Sequence, residues 1–531
     1  MTESTNDSRL RLIPSRPDAP KHTRTDIVLR KGQLTLLNAV MTPTQAMIED
    51  LLAIAEAFEN AGIEFLLVRG DGAPAILAVD VRRRREVANV LSRAFADEPF
   101  YSKAGREAAL LIADGKLSKS GKSRVLRLFR PRVDATGRLR FGARNGVRLE
   151  YWEFGVDEIV APAPNAIMRS SVPREEAVDA TVERYGRDWK TLAGMFDLLA
   201  SDIAFDIDIV FSWVDGSSAE FQRIRAKRMQ SYVVGVGDDS AARYRQLDEL
   251  KYALRSVYLY APWIRRIFIV TDSPRPVWLD DHPLVTLVPS EHFFVDPANL
   301  PTHNSHAIES QLHHIPGLSE HFLYSNDDMF FARPVGPEMF FSPGGITRFI
   351  EATTRIGLGE NNPERSGYEN AARVNRALLV RKFGRVTTRH LEHAPTPLRK
   401  SVLAEMEQEF AEDFARTAAS PFRASTDISV TNSLYHFYAL LSGRAVVQPN
   451  ARVKYVETTL KSSLGQMTTL LRDRSEDFFC LNDGSAPEIS VEVRAAAVLD
   501  FLNSYFPIPA PWERSQEEPA AGGLRPPAEL A

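Results

Sequence analysis

The chain has 531 residues, 44% hydrophobic and 25% charged, a composition that excludes a disordered or fibrous protein and suits two or three domains. Its 65 Lys and Arg stand against 69 Asp and Glu, and the resulting net charge of -4 gives no global attraction to nucleic acid or to an anionic membrane. Cys480 is the only cysteine, which excludes an intramolecular disulfide framework, a multi-cysteine zinc site and an iron–sulfur cluster, and makes a reducing, cytoplasmic setting the expectation.

The opening segment MTESTNDSRLRLIPSRPD has no apolar run after its charges, and no stretch of about 18 apolar residues follows, so neither a secretory signal nor a membrane span is expected. Residues 1–30 are polar and aperiodic and are expected to form a flexible N-terminal arm. Residues 31–195 read as an accessory α/β domain. It opens with an amphipathic helix at about 44–61, whose stripe includes Met47, Leu51, Ile54 and Phe58, and continues through apolar runs at 65–68 and 76–79. This stretch is locally basic: Arg82 to Arg85 are consecutive, and residues 121–150 hold nine Arg or Lys against two acids. Solvated faces are the plainer reading; a docking surface for a polyanionic acceptor or lipid head groups is the sharper one.

From about residue 200 apolar strands with polar tips alternate with helices. A strand over 205–214 breaks at Asp215-Gly216. A helix over 244–260, with Leu247, Leu250, Leu254 and Val257 on one stripe, stops at Ala261-Pro262. Then come a strand at 266–271, a short run at 284–288, a helix near 305–314, and a strand at 321–325 that ends in Asn326-Asp327-Asp328. The alternation predicts an α/β catalytic domain over 196–506, a mostly parallel sheet with helices on both faces and ligands at the carboxyl ends of its strands. Six prolines from Pro507 onward make 507–531 a docked or loose tail.

The strand tips carry the chemistry. Two adjacent carboxylates beside an amide, Asn326, Asp327 and Asp328, suit a Mg²⁺ (or Mn²⁺) that also meets a substrate diphosphate; the alternative is a helix cap or Asx-turn. Trp213 and Asp215, in WVDG, can stack on a base and accept from a uracil or ribose, or be a buried Trp beside an ordinary turn. VGVGDD, at 234–239, lacks the third glycine and the helix of a dinucleotide fingerprint. Ten of the eleven histidines fall between His282 and His436, which favours at least one proton-transfer role.

The order of these segments resembles the Stealth family of capsule and exopolysaccharide phosphotransferases, related to the catalytic subunit of N-acetylglucosamine-1-phosphotransferase. The resemblance rests on IDIVFSWVDGSS, on RYRQLDELKYALRSVYLYAPWIRRIFIVTD through LPTHNSHAIES and IPGLSEHFLYSNDDMFF, on HLEHAPTPLRK with PFRASTD, and on FFCLND, together about residues 205–483. It implies transfer of a sugar 1-phosphate from a nucleotide sugar, commonly a UDP-sugar, to a glycan hydroxyl, with release of a nucleoside monophosphate. On that resemblance Asp327 and Asp328 bind metal or act in catalysis. His393 is a base, Arg423 a fork for phosphate oxygens, and Asp427 completes the arginine's motif. Trp213, Asp215, Asn304, Glu309 and Asn326 are expected at the substrate. The chain departs from the pattern at Ser218, where an acid is usual, and at His303, where an aromatic is usual. The expected partners are a nucleotide-sugar donor and a polysaccharide acceptor, without nucleic acid, in the cytoplasm with room for peripheral contact at the inner membrane face. Two alternatives stay open: a metal-dependent glycosyltransferase that releases a nucleoside diphosphate, and a non-catalytic carbohydrate-binding protein.

Overall fold

The computed structural model describes residues 11–12, 24–70, 75–216, 218, 222–223, 225–227, 247–484 and 487–514. The chain divides into two units, residues 1–202 with 501–508, and residues 203–500 with 509–531.

In the first unit, residues 27–30 differ from the unstructured arm expected of them. They form strand β1 (Ile27–Arg30), paired antiparallel with β2 (Gln33–Leu37). The two-residue connection Lys31-Gly32 has φ of 47° and 76°, the mirror-image turn that matches strand twist, and the apolar run Ile27-Val28-Leu29 supplies the strand. Helix α1 (Pro43–Asn60) starts with a reciprocal cap: Gln45 N–H donates to Thr42 Oγ1 at 3.3 Å and Thr42 N–H to the Gln45 side chain at 2.8 Å. Strand β3 (Ile76–Asp80) joins β4 (Val125–Phe129) through β5 (Val147–Phe154), parallel to β3 and antiparallel to β4. Leu77, Val79, Leu149 and Tyr151 pack with Leu51, Ile54 and Phe58 of α1, while Ile76, Ala78 and Trp152 enter a second cluster on the other face. This alternation is the period-2 geometry of a strand buried on both sides.

Part of the basic run is paired with acids, some of them remote in sequence. Asp50, buried in α1, takes Arg130 at 2.7 Å and Arg132 at 2.8 Å. Arg124 pairs with Glu153 and Arg148 with Glu150, and the Arg84 guanidinium lies 4.6 Å over the Tyr151 ring. These arginines are paired, and Arg132 is buried, which differs from the solvated faces expected of them.

Among the elements of the second unit are, in chain order, β6 (Ile207–Ser212), α2 (Glu249–Tyr260), β7 (Ile267–Val270), β8 (Val285–Val288), α3 (Ser305–Glu309), β9 (His321–Asn326), β10 (Met329–Phe331), β11 (Arg389–Leu391), β12 (Thr396–Arg399), α4 (Lys400–Glu409), β13 (Val453–Glu457), β14 (Phe478–Asn482) and the part of α5 (Val491–Tyr505) before Phe501. Its main sheet has the order β8-β7-β6-β9-β12, parallel throughout except for the antiparallel edge strand β12. Val210, Phe268, Val270, Phe322 and Tyr324 belong to one core cluster, and Ile209, Phe211, Ile267, Ile269 and Leu323 are buried on the opposite face. The fold is therefore the expected α/β class. A second sheet, β10-β14-β13, starts directly after the Asp327-Asp328 turn.

Helix boundaries shift locally. Helix α2 begins at Glu249 because Asp248 sits at φ 58°; the expected first residues, 244–246, and VGVGDD at 234–239 lie outside the described residues. The helix expected near 305–314 is cut to α3 plus a 3₁₀ turn at Leu312–His314, with Ser310 Oγ bonding back to the Ala307 carbonyl at 2.8 Å. The tail is docked as far as described: Trp512 is buried and Glu513 bonds Arg255 at 2.6 Å. Among the described residues no helix is long and apolar enough to cross a membrane.

Candidate active site

The main sheet delivers two tips side by side. Ser212, the last residue of β6, pairs in register with Asn326, the last of β9. Beyond Ser212 the Trp213 N–H donates to the Val270 carbonyl at 3.2 Å and the Asp215 N–H to Ser273 Oγ at 2.8 Å, leaving both side chains half-buried at the carboxyl edge. Asn326, Asp327 and Asp328 are half-buried at the same edge, in the turn from β9 to β10.

That turn faces β14. Cys480 lies opposite Met329 in the β10–β14 register, and its thiol contacts Asp328 Oδ2 at 3.4 Å; the Leu481 N–H donates to the Asp328 carbonyl at 3.0 Å. Burial pushes the Asp328 carboxyl up to about 6, and the charges of Glu249 and Asp483 push the same way. Burial, then the neighbouring Asp327, raises Glu249 to about 7. Burial and Asp328 raise the Cys480 thiol. Arg494 of α5 counters this charge: it forms an ion pair with Asp483, and its Nε donates to Thr458 Oγ1 at 2.9 Å. Asp328 Oδ1 and Asp483 Oδ2 are both buried without a hydrogen-bond partner among the described residues. Orphaned carboxylate oxygens in an excess of acid are the hard donor set that Mg²⁺ or Mn²⁺ prefers, so the residues fit such a cation. No three of these acids have donor atoms within 4.8 Å of one another.

His393 follows β11 and packs edge-on against Tyr455, ring centroids 5.2 Å apart at 71°. Tyr455 on β13 pairs in register with Cys480, so His393, Tyr455, Cys480 and Asp328 are successive neighbours. Burial, then His390, holds the His393 imidazole below its ordinary value, which keeps it neutral at pH 7, and its Nδ1 is buried without a hydrogen-bond partner among the described residues. A cavity of about 480 Å³ is lined by Arg389, Glu392, Gln448 and Arg452 among others, without His393.

Arg423 belongs to a second group. Its Nη2 donates to Ser305 Oγ at 2.7 Å, at the start of α3. Asn304 caps α3 by accepting the His306 N–H at 3.1 Å, and its Nδ2 donates to Asp427 Oδ2 at 2.8 Å. Asp427 also accepts the Ala424 N–H at 2.9 Å, which closes the turn that carries Arg423, and burial raises its carboxyl to about 6. Glu309 accepts from Thr431 Oγ1 at 2.5 Å and from the Tyr324 hydroxyl at 3.4 Å, and burial raises it too. Asn304, Glu309 and Asp427 are no more than 2% exposed and their side chains bond protein groups around the Arg423 segment, while Asp427 Oδ1 is buried without a hydrogen-bond partner among the described residues. His303 stacks on Phe422 at 5.3 Å and 18°, doing with a flat imidazole what an aromatic ring would do.

Most of the clustered histidines are packing residues: His321 stacks on Phe205, His390 on Tyr368, and His436 Nε2 meets the Thr431 carbonyl at 2.8 Å. Sequence reasoning missed Glu249, Tyr455, Cys480 and Asp483. The available signal was in FFCLND, where an apolar strand again ends in Asn-Asp as 321–328 does.

The chain matches Stealth protein conserved region 1 over residues 205–233, region 2 over 243–349, region 3 over 392–440 and region 4 over 468–521. It is 57% identical over 491 residues to the exopolysaccharide phosphotransferase CpsY of Mycobacterium leprae, covering 92% of this chain and 90% of that one. An exopolysaccharide phosphotransferase of Nocardia farcinica is 55% identical, over 89% of this chain and 88% of its own. Among solved structures, a complex of the galactosyltransferase LgtC with donor and acceptor sugar analogues aligns with 57% of this chain and 96% of its own, at 12% identity and a TM-score of 0.28. On its conserved regions and its relatives, this chain belongs to the Stealth family.

Proposed function

We propose that the protein is an exopolysaccharide phosphotransferase that moves a sugar 1-phosphate from a nucleotide sugar, commonly a UDP-sugar, to a glycan hydroxyl. The products are a phosphodiester and a nucleoside monophosphate. The observation that carries the reading is the succession His393, Tyr455, Cys480, Asp328, which links a buried imidazole through two intervening residues to an acid pocket with orphaned oxygens.

Displacement at the donor's β-phosphorus needs in-line positioning, charge neutralisation and a base at the attacking hydroxyl. His393 accepts the hydroxyl proton, since burial keeps it neutral. Arg423, braced by Ser305 and by the Asn304–Asp427 pair, directs its planar fork at phosphate oxygens. Trp213 and Asp215 take the base and ribose, and Asn326 the sugar or diphosphate. Asp327 and Asp328 would hold a Mg²⁺ or Mn²⁺, which when bound supplies neutralisation of the diphosphate. We assign the reaction to the cytoplasm, where nucleotide sugars are available.

The test is incubation with a panel of nucleotide sugars and a fluorescent glycan, followed by mass analysis of both products. Nucleoside monophosphate with a phosphodiester-linked glycan is expected. Nucleoside diphosphate with a simple glycoside would instead establish a glycosyltransferase, and no turnover across the panel and acceptors would favour a binding protein.

A further inference from the structure

Away from the acid pocket, a second group of potential ligands converges on one point. His313 and His314 lie in the 3₁₀ turn Leu312–His314, and Glu407 lies in α4. His313 Nε2 is 2.9 Å from Glu407 Oε2 and His314 Nε2 is 3.1 Å from the same oxygen. The two imidazole centroids are 4.0 Å apart, and one donor atom from each of the three residues falls within 4.8 Å of the others. In the described residues no other set of three His, Cys, Asp or Glu meets that spacing.

We infer that His313, His314 and Glu407 form a transition-metal site that takes Zn²⁺ or a cation of its class. With metal–ligand bonds of about 2.0–2.1 Å, the edge of a tetrahedron is about 3.3 Å, so the observed nitrogen–oxygen separations need little adjustment around an ion. Two imidazoles and one carboxylate suit Zn²⁺ and its borderline neighbours, whereas Mg²⁺ prefers an all-oxygen shell; this separates the site chemically from the Asp327-Asp328 pocket. The His313 side chain is 2% exposed, while those of His314 and Glu407 are 31% and 27% exposed, so the remaining coordination position opens to water. The Phe414 ring closes the other side of His313 at 6.4 Å. Lys400 Nζ is directed to the Leu318 carbonyl at 3.5 Å. His313 is four residues beyond Glu309, so an ion here ties the segment after α3 to α4 and stiffens the group that braces Arg423.

The experiment uses the full chain, stripped with chelator and titrated with Zn²⁺ alone, with metal analysis, unfolding midpoint and the visible spectrum of a Co²⁺-loaded sample as readouts. Expected results are one Zn²⁺ bound per chain, a higher midpoint with Zn²⁺, and Co²⁺ bands of four-coordinate intensity. His314→Ala and Glu407→Gln each weaken Zn²⁺ binding at least about tenfold and abolish the midpoint rise. Glu407→Gln keeps the side chain's length, so its metal-free midpoint controls for folding. No Zn²⁺ bound by the native chain, equal binding by both variants, or displacement of Zn²⁺ by excess Mg²⁺ would overturn the assignment.

Discussion

Replacing Asp328 by Asn separates the stability of the acid pocket from its function. In the metal-free protein the Asp328 carboxyl is raised from 3.8 to about 6, first by burial and then by the charges of Glu249 and Asp483. Below pH 3.8 the folded and unfolded states both keep the proton. As pH climbs to about 6 the unfolded chain ionises first, so the metal-free fold loses stability over that window and stays penalised above it. At about 1.4 kcal/mol per pH unit the loss reaches about 3 kcal/mol near neutrality. Asn removes the charge but leaves an NH₂ in the place of the unpartnered Oδ1, which returns about 1 kcal/mol of cost. In chelator at pH 8 the variant is therefore expected to be more stable by about 1–2 kcal/mol, or about 2–3 °C in midpoint for a unit of roughly 300 residues. The gap should close toward pH 5, where the native carboxyl is largely protonated. Turnover should meanwhile fall at least about a hundredfold, the cost of one transition-state electrostatic contact, and added Mg²⁺ should raise the native midpoint but not that of Asp328→Asn. Thermal unfolding of both proteins from pH 5 to 8, with chelator and with Mg²⁺, measures all three. An Asn variant that melts below the native protein at pH 8 in chelator, or a gap that ignores pH, would refute the reasoning.

Arg423→Lys keeps the charge but loses the planar fork and the bond to Ser305, so kcat should drop at least about tenfold; steady-state kinetics at saturating donor reads this, and a native rate would leave only charge, or nothing, at that position. His393→Ala should lower kcat far more than donor affinity, and the native rate should rise with pH through an ionisation below 6.5 that the variant lacks; single-turnover profiles check the sign, since a cationic phosphate ligand would give a rate that falls with pH. His303→Phe should cost less than about 1 kcal/mol, because a phenyl ring preserves the stack on Phe422, and chemical denaturation would expose a larger loss.

Short-range signals in the sequence determined the strand and helix alternation, the parallel sheet and the family. Apolar runs at 205–214, 266–271 and 321–325 needed only period and punctuation to be read as strands. The hairpin at Lys31-Gly32 was also legible, but polar neighbours masked a strand of four residues. What only the tertiary structure decided is which polar residues converge. The Asp50 pairing of Arg130 and Arg132 spans about 80 residues, and the contact of Cys480 with Asp328 spans 152, separations at which no sequence period carries information. Burial likewise belongs to the whole fold: it sets Asn304, Glu309 and Asp427 among protein groups around Arg423, and it raised Asp328 and Glu249, because a carboxylate's cost depends on the water that packing removes.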